Sequence, residues 1–347
     1  MKLDNTLMSA YKMHLDSEIT STKLEDEMSQ VSDTDRLSKL VLSMIFARRN
    51  VLNPDDAMSS DIAKLPQNEV QHHLRKIKHY IQNKQRIVML LPAFPGKSPN
   101  RHKTLSNQPD LAEYLALDEL GALCKEITKV YSHGVEIKIC SDGYVFSDLV
   151  RIPDAEVNDY TNSIYEYTKQ HFPEDWFSVY DLADSYEEIA ELDSAREELL
   201  IEYGESIYSL KDKIKNNAGD LAMYRGITRF LFEDFTGLDS FQNTSKTQIQ
   251  KLARQTAYRV IQRSNAWSDL IAKQFPDAVR LSIHPQMRES AKIGIKMIPN
   301  QDAWRTPWHS VAVKKGSEYF LVSRAHIDES ESRLIFSNGR PFYYRES

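Results

Sequence analysis

The sequence is poor in glycine and cysteine and contains no long apolar run. Its 347 residues include 11 glycines, about 3% against an average of about 7%, which disfavours glycine-rich dinucleotide folds and β-repeat architectures. Two cysteines, Cys124 and Cys140, are too few for a disulfide framework in a chain of this length. No stretch approaches the roughly 18 to 20 apolar residues of a membrane span, and the N-terminus lacks a signal-peptide core. We therefore expect a cytoplasmic protein that does not bind membranes.

Motifs for metals and nucleotides are also missing. None of the ten histidines lies in an HExxH pattern, and GxGxxG does not occur. Gly96, Lys97 and Ser98 resemble the end of a P-loop, but that motif needs a glycine five residues earlier, where Leu91 stands. The net charge of −6 gives the whole molecule no electrostatic reason to bind nucleic acid. The sequence therefore predicts a reaction without metal or cofactor, and any bound anion requires a local basic cluster.

Hydropathy periodicity predicts an α/β protein with a mostly parallel sheet flanked by helices. Apolar residues recur at helical spacing up to about residue 84, which predicts an N-terminal helical cap. A continuous apolar run at 87–91 is typical of a strand buried on both faces. A helix from Asp110 and a strand from Val135 complete a βαβ unit. The sheet is mixed instead if Asp142 and Gly143 open a hairpin into 144–150.

The remaining predicted elements alternate in the same way. We expect helices over 154–171, 184–235 with an interruption near 216–220, and about 245–275. We expect strands at 177–182, 279–285, 293–298, 308–313, 319–325 and 333–336.

A basic loop follows the first predicted strand. It carries Lys97, Ser98, Arg101 and Lys103 at the strand's C-terminal end, where open α/β sheets bind ligands. A phosphate or carboxylate would suit these cations. The alternative is a solvated basic turn, which is what most charged loops are.

Two further groups of residues are candidates for binding an anion. Arg225 and Arg229 are one helical turn apart and repel unless an anion lies between them, and Glu233 is an alternative partner to a substrate. Arg280, Ser282 and His284 alternate along a predicted strand, which places them on one face. A polar face on a buried strand is unfavourable unless it lines a site or is fully paired, and a histidine there could transfer protons.

Aromatic and acidic residues supply the other candidates. Trp304, Trp308 and His309 surround a proline and either wall an aromatic substrate or form a packed corner. Asp110 and Glu113 open the helix after the basic loop, where they either favour its N-terminus or act as a base or amine anchor. Asp142 presents the same alternatives.

Six ordered segments together resemble one known family. They are PAFPGKSPNRHK, QPDLAEYLAL, ICSDGYVFSDLV, MYRGITRFLFEDF, VRLSIHP and TPWH, and they extend from about Arg86 to His309. In this order and spacing they resemble the PvcA-type isonitrile (isocyanide) synthases of the pyoverdine/dityrosine biosynthesis family, which also includes fungal enzymes that make formyl-tyrosine. The resemblance implies a Rossmann-like domain over 85–347 behind a helical segment over 1–84.

The resemblance also implies an activity. In that family the α-amine of L-tryptophan or L-tyrosine becomes an isonitrile, ribulose 5-phosphate donates the carbon, and no metal or redox cofactor takes part. An Fe(II)/2-oxoglutarate-dependent oxygenase is the usual pathway partner. The expected roles are acid–base chemistry for His284, His309, Asp110, Glu113 or Asp142, an aromatic pocket for Trp304 and Trp308, and anion binding. The expected anion-binding cations are Lys97, Arg101, Arg225, Arg229 and Arg280, converging in one cavity.

Two other functions fit the same residues. One is a relative that forms an N-formyl amino acid, and the other is a non-catalytic protein that binds a sugar phosphate.

Overall fold

A five-stranded parallel sheet lies at the centre of the structure, a computed structural model that describes residues 33–52, 62, 65–299 and 305–346. Its strand order is β3-β2-β1-β4-β5, and every neighbouring pair is parallel. The strands are β1 (Ile87–Pro92), β2 (Val135–Cys140), β3 (Phe177–Tyr180), β4 (Val279–Ser282) and β5 (Ile293–Gly294).

Helices cover both faces of this sheet, which confirms the predicted Rossmann-like α/β fold. The helices are α1 (33–46), α2 (Gln67–Gln82), α3 (Leu111–Val130), α4 (Gly143–Val150), α5 (Asp154–His171), α6 (Leu182–Ser185), α7 (Leu192–Tyr203), α8 (Ile207–Asn216), α9 (Ala218–Thr236) and α10 (Lys246–Gln274). The bounds of α5 and α10 agree with the predicted helices, and Asn217 marks the predicted interruption near 216–220.

The side chains of β1 alternate between two apolar layers. Met89 and Leu91 pack with α1, α2, α3 and α5. Leu90 faces the other way and packs with α10 and α7. Because both faces are covered, the strand reads as a continuous apolar run rather than an alternating pattern. Within this arrangement α2 shares a core with the sheet, and residues 1–32 of the predicted N-terminal segment lie outside the described residues. The division into 1–84 and 85–347 stays a prediction.

The hairpin alternative at Asp142 is wrong, because residues 143–150 form helix α4. Gly143 is required there by a close approach rather than by a tight turn. A Cβ atom at this position would lie 2.4 Å from the carbonyl oxygen of Pro95 and 2.5 Å from a methyl carbon of Val157. The glycine thus lets the loop after β1 and the start of α4 meet at the C-terminal edge of the sheet.

The C-terminal strands form a second sheet of their own. Its strands are β6 (Val311–Lys315), β7 (Glu318–Val322), β8 (Ser332–Ser337) and β9 (Arg340–Glu346), in the order β7-β6-β9-β8. The pair β6–β9 is parallel and the other two pairs are antiparallel. The sequence periodicity did not predict β9. It predicted a strand over 293–298, which is four residues longer than β5. No helix in the described part of the chain is long and apolar enough to cross a bilayer.

Candidate active site

The candidate site lies where the parallel strands end. The loop after β1, Asp142 after β2 and His284 after β4 come to this edge, as ligand-binding loops do in open α/β sheets. A short 3₁₀ turn, Pro307–His309, joins them from the C-terminal part of the chain. The backbone N–H of Ser98 donates a hydrogen bond to the carbonyl oxygen of Trp308 at 2.8 Å, which fixes the basic loop to this turn.

Lys97 is buried in an ionic network rather than open to a ligand. Its Nζ lies 2.6 Å from Glu113 Oε2 and 3.0 Å from Asp110 Oδ2, and all three side chains are at most 1% exposed. It also donates to the carbonyl oxygen of Pro307 at 3.1 Å. Tyr160 on α5 donates to Glu113 Oε1 at 3.1 Å. We call Lys97, Asp110, Glu113 and Tyr160 the Lys97 network; it joins the loop, α3, α5 and the 3₁₀ turn.

The two carboxylates of this network also cap α3. Asp110 accepts the backbone N–H of Ala112 at 2.9 Å, and Glu113 accepts the backbone N–H of Asp110 at 3.0 Å. This reciprocal pattern is a capping box, which satisfies orphan donors of the first helical turn. The structure thus places Asp110 and Glu113 in the helix-stabilising arrangement that was one of the two sequence interpretations.

The charges of the Lys97 network do not balance. Burial tends to lower the pKa of Lys97, but the two carboxylates outweigh it and raise this pKa. Burial, helped by the charge of Glu113, raises the pKa of Asp110 to about 7 despite the nearby ammonium. One buried ammonium thus faces two carboxyl groups, and Asp110 holds a proton more readily than it does in water.

This raised pKa sets the sign of a pH effect. Between about pH 4 and 7 the folded chain binds more protons at Asp110 than the unfolded chain does. The stability contributed by this group is therefore fully present below pH 4 and is lost as the pH rises through about 7. We expect the Asp110→Asn variant to lose that component of the pH dependence. Urea unfolding at several values between pH 5 and 8 would measure it, and an unchanged slope in the variant would contradict the assignment.

A second group of charges lies on the other side of the basic loop. Lys103 Nζ is 2.7 Å from Asp234 Oδ1 and 3.2 Å from Glu233 Oε2, both on α9. The hydroxyl of Ser98 donates to Asp234 Oδ1 at 3.1 Å. Among the described residues, Asp234 Oδ2 is buried without a hydrogen-bond partner. Lys103 also lies over the ring of Phe230, 5.3 Å from its centroid.

His309 is held between these two groups. Its ring meets Phe230 edge to face at 4.8 Å, and its Nδ1 lies 3.0 Å from the hydroxyl of Thr306. Burial and the charges of Lys103 and Lys97 lower the pKa of His309 to about 3. The imidazole is therefore neutral at physiological pH.

His284 and Asp142 complete the set of ionisable groups at this edge. His284 is accessible to solvent, yet surrounding protein atoms and Lys292 lower its pKa to about 4. Burial raises the pKa of Asp142 to about 7, and its Oδ1 has no hydrogen-bond partner within the described residues. Asp142 titrates near neutrality and can exchange a proton at pH 7, and two neutral imidazoles lie at the same edge of the sheet.

The structure does not gather the predicted cations into one cavity. Lys97 is buried among carboxylates, whereas Arg225 and Arg229 are exposed on α9. Arg101 is exposed and donates to the Thr104 hydroxyl at 3.3 Å. Lys97 is not available to bind a ligand, because it already pairs with Asp110 and Glu113. Arg280 belongs to a separate group near α10.

Arg229 forms an exposed ion pair with Glu233, as one of the two sequence interpretations has it. The Nε–Oε1 distance is 2.9 Å, and the arginine side chain is 83% exposed. We expect Arg229→Ala to lower the free energy of unfolding by only about 0.3 to 0.5 kcal/mol. Steady-state kinetics should show an unchanged kcat/KM. A large loss of kcat/KM would instead restore this arginine as a substrate ligand.

The tryptophan and serine candidates have these positions. Trp308 is 3% exposed and packs against Phe94 with ring centroids 5.5 Å apart. Trp304 lies outside the described residues. Ser282 accepts the backbone N–H of His284 at 3.1 Å and so shapes the chain after β4. The sequence analysis did not predict Tyr160 or Asp234 as members of the site. The capping box, in contrast, could have been recognised from the spacing of Asp110 and Glu113.

The comparisons with known proteins decide the family. The model of the pyoverdine/dityrosine biosynthesis protein family matches residues 77–335. The chain belongs to this family. An L-tryptophan isonitrile synthase of Fischerella ambigua is 37% identical over 318 residues, which cover 92% of this chain and 94% of that protein. An L-tyrosine isonitrile synthase of Pseudomonas aeruginosa is 39% identical, covering 89% of this chain and 93% of that protein.

The fold comparison agrees with this membership. The crystal structure of PvcA from Pseudomonas aeruginosa superposes with a TM-score of 0.82 at 38% sequence identity. It covers 90% of this chain and the whole of that chain. The predicted resemblance is confirmed, and this family member is an enzyme.

Proposed function

We propose that this enzyme is an isonitrile synthase that acts on the α-amine of an aromatic L-amino acid, with ribulose 5-phosphate as the carbon donor. The similarity to two synthases over about nine tenths of the chain carries the proposal. One of these relatives is named for L-tryptophan and the other for L-tyrosine, and their identities to this chain are close, 37% and 39%. Both amino acids are therefore substrates to test.

The ionisable groups at the sheet edge suit this chemistry. Attack of a neutral amine on a ketone, formation of an imine and cleavage of a carbon–carbon bond all require protons to be moved. His309 and His284 are neutral at pH 7 and serve as proton acceptors in the proposal. Asp142 titrates near pH 7 and serves as the proton donor. Asp110 and Glu113 act indirectly, because they hold Lys97 and the 3₁₀ turn in place.

Incubation of the purified chain with ribulose 5-phosphate and each aromatic amino acid tests the proposal. We expect an isonitrile, identified by its mass and its infrared absorption. A product heavier by one water would instead indicate the N-formyl amino acid. Binding of ribulose 5-phosphate without turnover would indicate a non-catalytic sugar-phosphate-binding protein.

The cellular context follows from the same proposal. An Fe(II)/2-oxoglutarate-dependent oxygenase that consumes the isonitrile is the expected pathway partner, and a cytoplasmic location is expected for this chain. These two points stay predictions.

A further inference from the structure

Two cations lie close together at the edge of the central sheet, Arg280 on β4 and Lys292 directly before β5. Leu281 on β4 pairs with Ile293 on β5, so the residues that precede them, Arg280 and Lys292, are also neighbours. Both reach Ser268 on α10: Arg280 Nη2 donates to its Oγ at 2.6 Å, and Lys292 Nζ donates to the same oxygen at 3.0 Å. Two like charges that donate to the same oxygen atom are close enough to repel one another.

No carboxylate neutralises this pair within the described part of the chain. Neither cation has an acidic oxygen within 4.0 Å there, and Asp269 influences both only from a longer distance. Helix α2 brings a further cation, Lys76, whose pKa is lowered by burial and by the charge of Arg280. Burial and the charge of Arg280 lower the pKa of Lys292 to about 8.

Arg280 and Lys292 are partly buried, and the four fully buried cations of the described residues are paired differently. Each of four has at least one carboxylate within 2.7 Å: Lys97 with Glu113, Arg49 with Glu69, Arg196 with Asp154, and Arg263 with Asp148. Partly desolvated charges normally need such partners. Arg280 and Lys292 have no such carboxylate among the described residues, and their hydrogen bonds go to Ser268.

We propose that Arg280, Lys292 and the hydroxyl of Ser268 form a binding site for a phosphate monoester. We assign this phosphate to ribulose 5-phosphate, an assignment that rests on the proposed function. One phosphate has enough oxygens to accept hydrogen bonds from a guanidinium, an ammonium and a hydroxyl together. Lys292 is also close enough to lower the pKa of His284, and His284 acts in the same way on His309.

The test compares Lys292→Met with a matched control, Lys296→Met. Lys296 is an exposed lysine four residues further along the same segment. We expect Lys292→Met to weaken ribulose 5-phosphate binding by at least about tenfold in calorimetric titrations, since it removes a charged hydrogen bond. It should raise the KM for ribulose 5-phosphate and leave the KM for the amino acid unchanged. Lys296→Met should behave as the wild type, and Lys292→Arg should retain binding.

A thermal readout separates binding from folding. In phosphate-free buffer, Lys292→Met should raise the melting temperature, because it removes repulsion from Arg280. The same variant should lose the stabilisation that ribulose 5-phosphate gives the wild type. Unchanged ribulose 5-phosphate affinity in Lys292→Met would overturn the proposal.

Titration with inorganic phosphate distinguishes the source of the ligand. If Lys292→Met lost inorganic phosphate binding but kept its ribulose 5-phosphate affinity, the site would take free phosphate and the assignment to the sugar would be wrong. If the wild type bound ribulose 5-phosphate through Lys292 but formed no isonitrile, the anion site would be supported and the proposed function rejected.

Discussion

Replacing Lys97 with methionine is expected to lower the free energy of unfolding by about 3 to 5 kcal/mol. The substitution keeps most of the side-chain volume but leaves Glu113 and Asp110 buried without their ammonium partner. It also removes the hydrogen bond to Pro307. Urea-induced unfolding followed by circular dichroism would measure the change.

Two further variants isolate the cause. Lys315→Met removes a lysine that is 49% exposed and paired with Glu346, and this surface change should cost at most about 1 kcal/mol. Adding Asp110→Asn and Glu113→Gln to Lys97→Met neutralises the whole network and should restore part of the lost stability. A Lys97→Met protein as stable as the wild type would show that the network does not hold the loop.

The second large effect is expected at His309. His309→Asn should lower kcat by about 10²- to 10⁴-fold, because the proposed proton acceptor is lost. The asparagine is polar and smaller than the imidazole, so the fold should persist. Steady-state kinetics with ribulose 5-phosphate and the preferred aromatic amino acid would measure kcat.

The pH profile and a control histidine sharpen this test. Since the pKa of His309 lies at about 3, its imidazole stays neutral throughout the range from pH 5 to 8. His309 should therefore add no inflection to the wild-type profile in that range. His326→Asn alters an exposed histidine and should leave kcat unchanged. A normal kcat for His309→Asn would show that another group accepts the proton.

Local patterns allowed much of the fold to be predicted. The apolar run of β1 and the helical spacing of α5 and α10 are properties of short segments, and their positions were predicted closely. The hairpin at Asp142 was wrong because Gly143 serves a packing contact with Pro95 that is distant in sequence. Pairing of β6 with β9 was missed for the same reason, since parallel partners need not be neighbours along the chain.

The site was predictable only in part. Charged residues after a buried strand indicated a ligand site, but not which charges would neutralise one another. Tyr160 and its hydrogen-bond acceptor Glu113 are 47 residues apart in the sequence, and Lys292 and its acceptor Ser268 are 24 residues apart. Only the fold shows that Lys97 is paired with carboxylates, whereas Arg280 and Lys292 donate to Ser268 and have no carboxylate partner among the described residues.

The contact between the Lys97 network and the 3₁₀ turn limits which substitutions this enzyme can accept. Pro307 accepts a hydrogen bond from Lys97, and His309 stands two residues further on in the same turn. Substitutions in the basic loop are therefore expected to displace the imidazole of His309 and to destabilise the fold at the same time. Directed evolution toward a different amino acid should keep these four network positions constant and diversify elsewhere.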